Sequence, residues 1–184
     1  DVVPFNLTYV NALGETKPLN YTMKAEARFL RAYFYFELVK RYGGVPLVGD
    51  NVYVLGDDVQ LPRNTFAQCI DYIIGELDEI KDDLRSLPMS DATEFAHAPT
   101  KETCLAMKAR VLLYAASPLF NEKPLEAGNE LIGYASYDSQ RWNLAAQAAK
   151  DLIDQYGPKG KGTLNLAQDY RNIFINFYGG NNPE

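Results

Sequence analysis

The run from Ala25 to Val48, AEARFLRAYFYFELVKRYGGVPLV, constrains this chain more than any other stretch. Ala25, Phe29, Ala32, Tyr33, Phe36 and Val39 recur at steps of three and four, which places them on one face of an α-helix that must be buried. Leu30, Phe34, Tyr35 and Leu38 widen the apolar arc. Lys24, Arg28, Arg31, Glu37 and Lys40 are left to meet water or polar partners. A helix this apolar is expected to pack on several sides. Its end is chemically specified, because Gly43 and Gly44 accept the left-handed conformation that closes a helix and Pro46 cannot continue one.

Three further helices follow from periodicity. The first helix is expected over roughly Tyr21 to Tyr42, and the second over Thr65 to Arg85, capped by Asn64 or Thr65, with Gln68 three residues after Thr65 as a capping-box partner. In the second, Phe66, Ile70, Ile73, Leu77, Ile80, Leu84 and Leu87 form a continuous seam that Pro88 ends. The third starts at Thr100, carries Ala106, Ala109, Ala115 and Ala116 for close approach of a neighbour, and breaks at Ser117-Pro118. The fourth, about Ser139 to Gln155, aligns Trp142, Ala145, Ala149 and Ile153 and stops at Gly157-Pro158; Trp142 is expected to lock a hairpin from within the core. Helices one and two, and then three and four, are expected to form antiparallel hairpins, an all-α, tetratricopeptide-like arrangement. The connections over 45–64 and 121–138 are too long for a strict repeat, and loops of that length are usually functional or disordered.

Composition excludes more than it assigns. The chain has 184 residues, of which 47% are hydrophobic and 23% charged, so it fits one domain able to bury about two-thirds of its unfolded surface. With 18 Lys and Arg against 24 Asp and Glu its net charge is −6, which argues against a nucleic-acid surface. No stretch of about 18 apolar residues could span a membrane as a helix. The single histidine, His97, offers no zinc pair, and the nucleophile-elbow, phosphate-loop and dinucleotide-turn motifs are absent. Neither a catalytic residue nor a metal or cofactor is expected. The acidic residues of the second helix read as a solvated face rather than a paired-carboxylate site. Cys69 and Cys104 read as buried thiols, with a disulfide between them as the alternative.

The Ala25–Val48 run resembles the helix of SusD/RagB-type proteins, in which a Glu-Ala-x-Phe-Leu-Arg-Ala-x-x-Tyr-Phe core precedes Tyr-Gly-Gly-Val-Pro-Leu. The segment Pro99 to Asn121, with its exit Ala-Ala-Ser-Pro-Leu-Phe-Asn, resembles the next helix of that family, and Trp142-x-x-Ala145-Ala146-x-x-Ala149 with Ile153-Asp154 the one after it. The resemblance covers roughly Ala25 to the C-terminus. It implies a non-catalytic, surface-exposed lipoprotein of the outer membrane that captures an oligosaccharide for a SusC-like TonB-dependent transporter. It also implies a signal peptide, a lipidated cysteine and a further segment before Asp1, and a strand continuing past Glu184, so residues 1–184 are expected to be an internal, tetratricopeptide-like piece of a longer chain. Oligopeptide capture of the RagB type is one alternative, and a helical-repeat interaction scaffold without a small ligand is another.

Sugar binding makes its own demands. Pyranose C–H faces stack on aromatic rings, and hydroxyls need planar donors and acceptors. The loop after the first helix offers both, and the resemblance implies that it contributes to the ligand site. The candidate ligand-binding residues are Asn51, Tyr53, Asp58 and Arg63, with Tyr53 as the stacking platform beside Asn51; for Arg63 a structural hydrogen-bonding role is the stronger expectation. The aromatic residues Tyr170, Phe174, Phe177 and Tyr178 are expected to help cover a core.

Overall fold

A computed structural model describes residues 7–87, 97–123, 125–126, 128–162 and 164–166. Its elements, in chain order, are β1 (Thr8–Val10), β2 (Thr16–Pro18), α1 (Leu19–Tyr42), α2 (Phe66–Ile80), α3 (Lys101–Ala116), the short α4 (Pro118–Asn121) and α5 (Gln140–Tyr156). Helix dominates, as the periodicity predicts. The antiparallel pair β1–β2, with Tyr9 opposite Lys17, is an addition that the helical pattern did not announce.

The helices pack in sequence: α1 on α2, α2 on α3, and α3 on α5. Arg28 of α1 meets Glu76 of α2, and Tyr35 meets Tyr72 further along, so these two helices run in opposite directions. Lys101 bonds Asp82 while Lys108 reaches Asp78, and the same reversal relates α2 to α3. The core is the shared face of α1, α2 and α3, built from Phe29, Ala32, Phe36 and Val39, from Phe66, Ile70, Ile73, Leu77 and Ile80, and from Met107 and Val111. Phe66 stacks on Phe120 with ring centroids 4.5 Å apart and receives Tyr134 edge-on. Apolar burial of this kind is the main stabilising term of such a body.

Helix ends follow from side-chain chemistry. Thr65 accepts from the Gln68 amide and the Gln68 side chain accepts from the Thr65 amide, so the capping box forms as expected. Thr100 caps α3 through the Thr103 amide. α1 stops where Gly43 takes φ 70° and donates its amide to the Val39 carbonyl.

Several expectations are corrected. α2 ends at Ile80, and residues 81–83 form turns, although Leu84 stays buried in line with the seam. Of the expected stripe on α5 Ala145 is buried, whereas Trp142 is 40% exposed and Ile153 is exposed; Tyr156 is the other buried residue of the helix, which packs on α3. Tyr33, placed by its spacing on the buried face, is exposed, as are Leu30, Phe34 and Leu38, so among the described residues α1 is packed chiefly on its Phe29–Phe36 side. Within the connector, residues 130–134 are docked: the Glu130 carbonyl accepts from the Phe66 amide, the Leu131 carbonyl from the Gly44 amide, and the Phe120 carbonyl from the Tyr134 amide. Cys69 and Cys104 are both buried free thiols; Cys69 Sγ contacts Val45 backbone atoms, while Cys104 Sγ donates to the Leu77 carbonyl. Pro88 and the aromatic residues Tyr170, Phe174, Phe177 and Tyr178 lie outside the described residues.

Candidate binding loop

The segment from Gly43 to Asn64 leaves the end of α1 and returns to the start of α2, and its two feet are held together. The Leu47 amide donates to Asn64 Oδ1 at 3.0 Å, and the Asn64 amide donates to the Val45 carbonyl at 3.1 Å. Arg63 donates from Nε to the Gly44 carbonyl at 2.7 Å and from Nη2 to the Tyr42 carbonyl at 2.6 Å. Those carbonyls lie at and just past the end of α1, where the intrahelical bonding pattern runs out and a cationic side chain is favoured. Arg63 therefore splints the helix end, as its structural reading anticipated.

Above the feet, α1 holds one flank of the loop. Tyr35 accepts the Val48 amide on its hydroxyl at 2.8 Å. Arg31 Nη1 donates to the Gly49 carbonyl at 2.9 Å and to Asp50 Oδ1 at 2.6 Å. Behind it lies Glu76 of α2, a buried carboxylate bracketed by Arg31 and Arg28, with Arg28 also reaching Glu79. Burial alone would raise the Glu76 pKa, yet hydrogen bonds from Arg28 and Arg31 outweigh it and hold the carboxyl below its usual range. The Asp50 carboxyl is also lowered, first by the hydrogen bond from Arg31.

The tip is different. Asn51, an exposed residue, donates its side-chain amide to the Val48 carbonyl at 3.0 Å. Val54 and Asp57 close a small turn in which Gly56 takes φ 103°. Asp58 accepts from Gln60 at 3.1 Å. Tyr53 is partly exposed, and around it Val52, Val54 and Leu55 stand in solvent, Leu55 fully so. Three of the four candidate residues, Asn51, Tyr53 and Asp58, thus share the tip, whereas Arg63 works at the base. The tip presents an aromatic face, planar polar groups and a small apolar patch on one arm. Among the described residues no group of three or more His, Cys, Asp or Glu could hold a metal ion.

Sequence reasoning missed the mount. Arg31, Tyr35 and Glu76 belong to helices and carry no binding motif. Arg31 reads in the sequence only as a residue left for water or polar partners and Glu76 only as part of a solvated acidic face; the structure corrects the latter, burying Glu76 between two guanidiniums.

The family model described as starch-binding and associating with the outer membrane matches residues 5–113, which include α1, the loop, α2 and most of α3. The chain belongs to the SusD-like family. A SusD-like protein of Formosa agariphila is 33% identical over 89 residues, 48% of this chain and 16% of that protein. Among solved structures, BT4246 is 26% identical and superposes with a TM-score of 0.64 over 85% of this chain and 27% of its own. A SusD-like protein from Bacteroides fragilis is 28% identical, with a TM-score of 0.53 over 72% of this chain and 20% of its own. The SusD-like chain thus spans at most about a quarter of the length of these relatives. The family is one of binding proteins that associate with the outer membrane. No described helix is long and apolar enough to cross a membrane.

Proposed function

We propose that residues 1–184 are the tetratricopeptide-like part of a non-catalytic, surface-exposed outer-membrane lipoprotein that captures an oligosaccharide and passes it to a SusC-like TonB-dependent transporter. The observation that carries this reading is the starch-binding family match across α1, the loop and α2. The loop supplies the chemistry a glycan needs. Tyr53 offers a ring for the apolar face of a pyranose, the side-chain oxygen of Asn51 and the Asp58 carboxylate accept from sugar hydroxyls, and Arg63 holds the arm from below. Binding of this kind rests on stacking and hydrogen bonds, with no covalent step. The membrane attachment in this reading is an N-terminal lipid.

A second reading, capture of an oligopeptide in the RagB manner, is favoured by one observation. Val52, Val54 and Leu55 surround Tyr53 with exposed apolar surface that suits peptide side chains better than hydroxyl-rich sugars.

Isothermal titration of the full-length protein and its Tyr53→Ala variant against plant, host and microbial oligosaccharides tests the proposal. Saturable binding to one glycan that the variant loses supports it. Absence of binding across the panel, with binding to a mixed oligopeptide pool, replaces it with peptide capture; no binding to either leaves an interaction scaffold.

A further inference from the structure

The loop is fastened unevenly. From Val52 to Leu61, every hydrogen bond of the tip among the described residues stays within the loop, as in the Val54–Asp57 turn and the Asp58–Gln60 pair, and Asn51 bonds no farther back than Val48. Among the described residues the tip has no hydrogen bond of its own to the helical body. Its direction is decided where residues 48–50 meet α1.

One side chain makes most of that connection. Arg31 turns Nη1 to the loop, taking the Gly49 carbonyl and Asp50, and turns Nε and Nη2 to Glu76 Oε2 at 3.2 and 2.6 Å. The other Glu76 oxygen is taken by Arg28 Nη2 at 2.7 Å, so the carboxylate that orients Arg31 is itself oriented. Glu76 is 8% exposed, and a planar guanidinium laid against a buried carboxylate has little freedom to swing. Gly49, at φ 63°, makes the turn that aims its carbonyl at Arg31. Tyr35 adds one bond, to the Val48 amide; Tyr72, edge-on to Tyr35, adds none, because its buried hydroxyl has no hydrogen-bond partner among the described residues.

We infer that Arg31 is the positioning residue of the 51–61 tip: it carries the orientation of the rigid α1–α2 pair, through Glu76, to the arm that bears Asn51 and Tyr53. A lysine could neutralise Glu76 but could not span Glu76, the Gly49 carbonyl and Asp50 together. A tip held this way meets its ligand without having to be ordered first, which is worth affinity. The consequence for affinity rests on the glycan-capture reading; the consequence for loop position does not.

The test uses the full-length protein spin-labelled at Leu55→Cys on the tip and Asp71→Cys on the exposed face of α2; Cys69 and Cys104 are buried and resist the label. Electron–electron double resonance reads the distance distribution between the two labels in the parent, in Arg31→Lys and in Asp50→Asn. Arg31→Lys is expected to broaden the distribution roughly twofold and Asp50→Asn to broaden it less, both with near-parental thermal unfolding. Unlabelled Arg31→Lys, titrated with maltoheptaose, is expected to bind about tenfold more weakly than the parent. An unchanged distribution in both variants overturns the inference, whatever the titrations show. A broadened distribution with maltoheptaose binding unchanged in Arg31→Lys and in Tyr53→Ala upholds Arg31 as the positioning residue and refutes the ligand loop. Should Arg31→Lys unfold, the exposed Asp50→Asn variant decides alone.

Discussion

Gly44 runs so close to Asn64 that a Cβ at position 44 would collide with the Asn64 carbonyl oxygen. The two residues sit at opposite feet of the loop, one just past α1 and the other just before α2. Their contact is what allows a long excursion to begin and end at nearly one point.

Gly44→Ala should therefore open the feet. The clash is with backbone, which cannot rotate away, and overpacking of this kind costs about 1–3 kcal/mol. Differential scanning calorimetry should show a lowered Tm, and a variant that melts with the parent would mean that the feet part without penalty.

Arg63→Ala removes both hydrogen bonds that splint the α1 terminus, to the Tyr42 and Gly44 carbonyls. The side chain is largely exposed, so a loss of about 1 kcal/mol is expected rather than the larger value of a buried charge. Urea denaturation should show it. Because its guanidinium faces the helix end, the variant should retain glycan binding better than Tyr53→Ala does.

Thr65→Ala deletes half of the capping box on α2, leaving the Gln68 amide without its side-chain acceptor. Such substitutions cost about 1 kcal/mol. Thr65→Ser keeps the acceptor and should lie within a few tenths of a kcal/mol of the parent. A serine variant as unstable as the alanine variant would assign the effect to packing of the threonine methyl.

Acid should loosen the α1–α2 pair through Glu76. Its folded pKa lies below the ordinary carboxylate value of 4.5, so the stabilisation by Arg28 and Arg31 is fully present above pH 4.5 and is lost as pH falls through the depressed folded value. The urea midpoint at pH 7 should exceed that at about pH 3, and Glu76→Gln should reduce the difference. At pH 7 the same substitution should cost about 2–4 kcal/mol, since it leaves two partly buried guanidiniums facing a neutral amide.

Both thiols should be inert in the native state. Burial pushes the Cys104 thiol up to about 12 and raises the Cys69 thiol as well, so little thiolate exists at neutral pH and neither sulfur is accessible. Iodoacetamide should label both after unfolding and neither before it; native labelling of Cys104 would show that α3 separates readily from α2.

How much of this was legible in advance depends on how far apart the determining residues lie. The α1 stop at Gly43, the Thr65–Gln68 box and the break at Ser117-Pro118 each depend on residues within a few positions of one another, and each appears where its sequence places it. Trp142 was misjudged for the complementary reason. Its spacing with Ala145 and Ala149 marks a stripe, but how far α5 rolls against α3 depends on how two separate helices pack, and the structure buries Ala145 and Tyr156 while leaving Trp142 exposed. The loop was recognised from its aromatic and amide content, while the Arg31–Glu76 mount joins residues 45 positions apart and left no local trace.

The sequence by itself determined the helices, their caps, the thiols as core residues and the family signature, because side-chain period and terminus chemistry act over one or two turns. Tertiary structure alone decided that Glu130 and Leu131 would meet Phe66 and Gly44, that β1–β2 would lie against the turn after α2, and that the tip bearing Tyr53 would hang from a guanidinium on α1. Those outcomes depend on hydrogen bonds and ion pairs between groups that become neighbours only after the apolar faces of α1, α2 and α3 have been withdrawn from water.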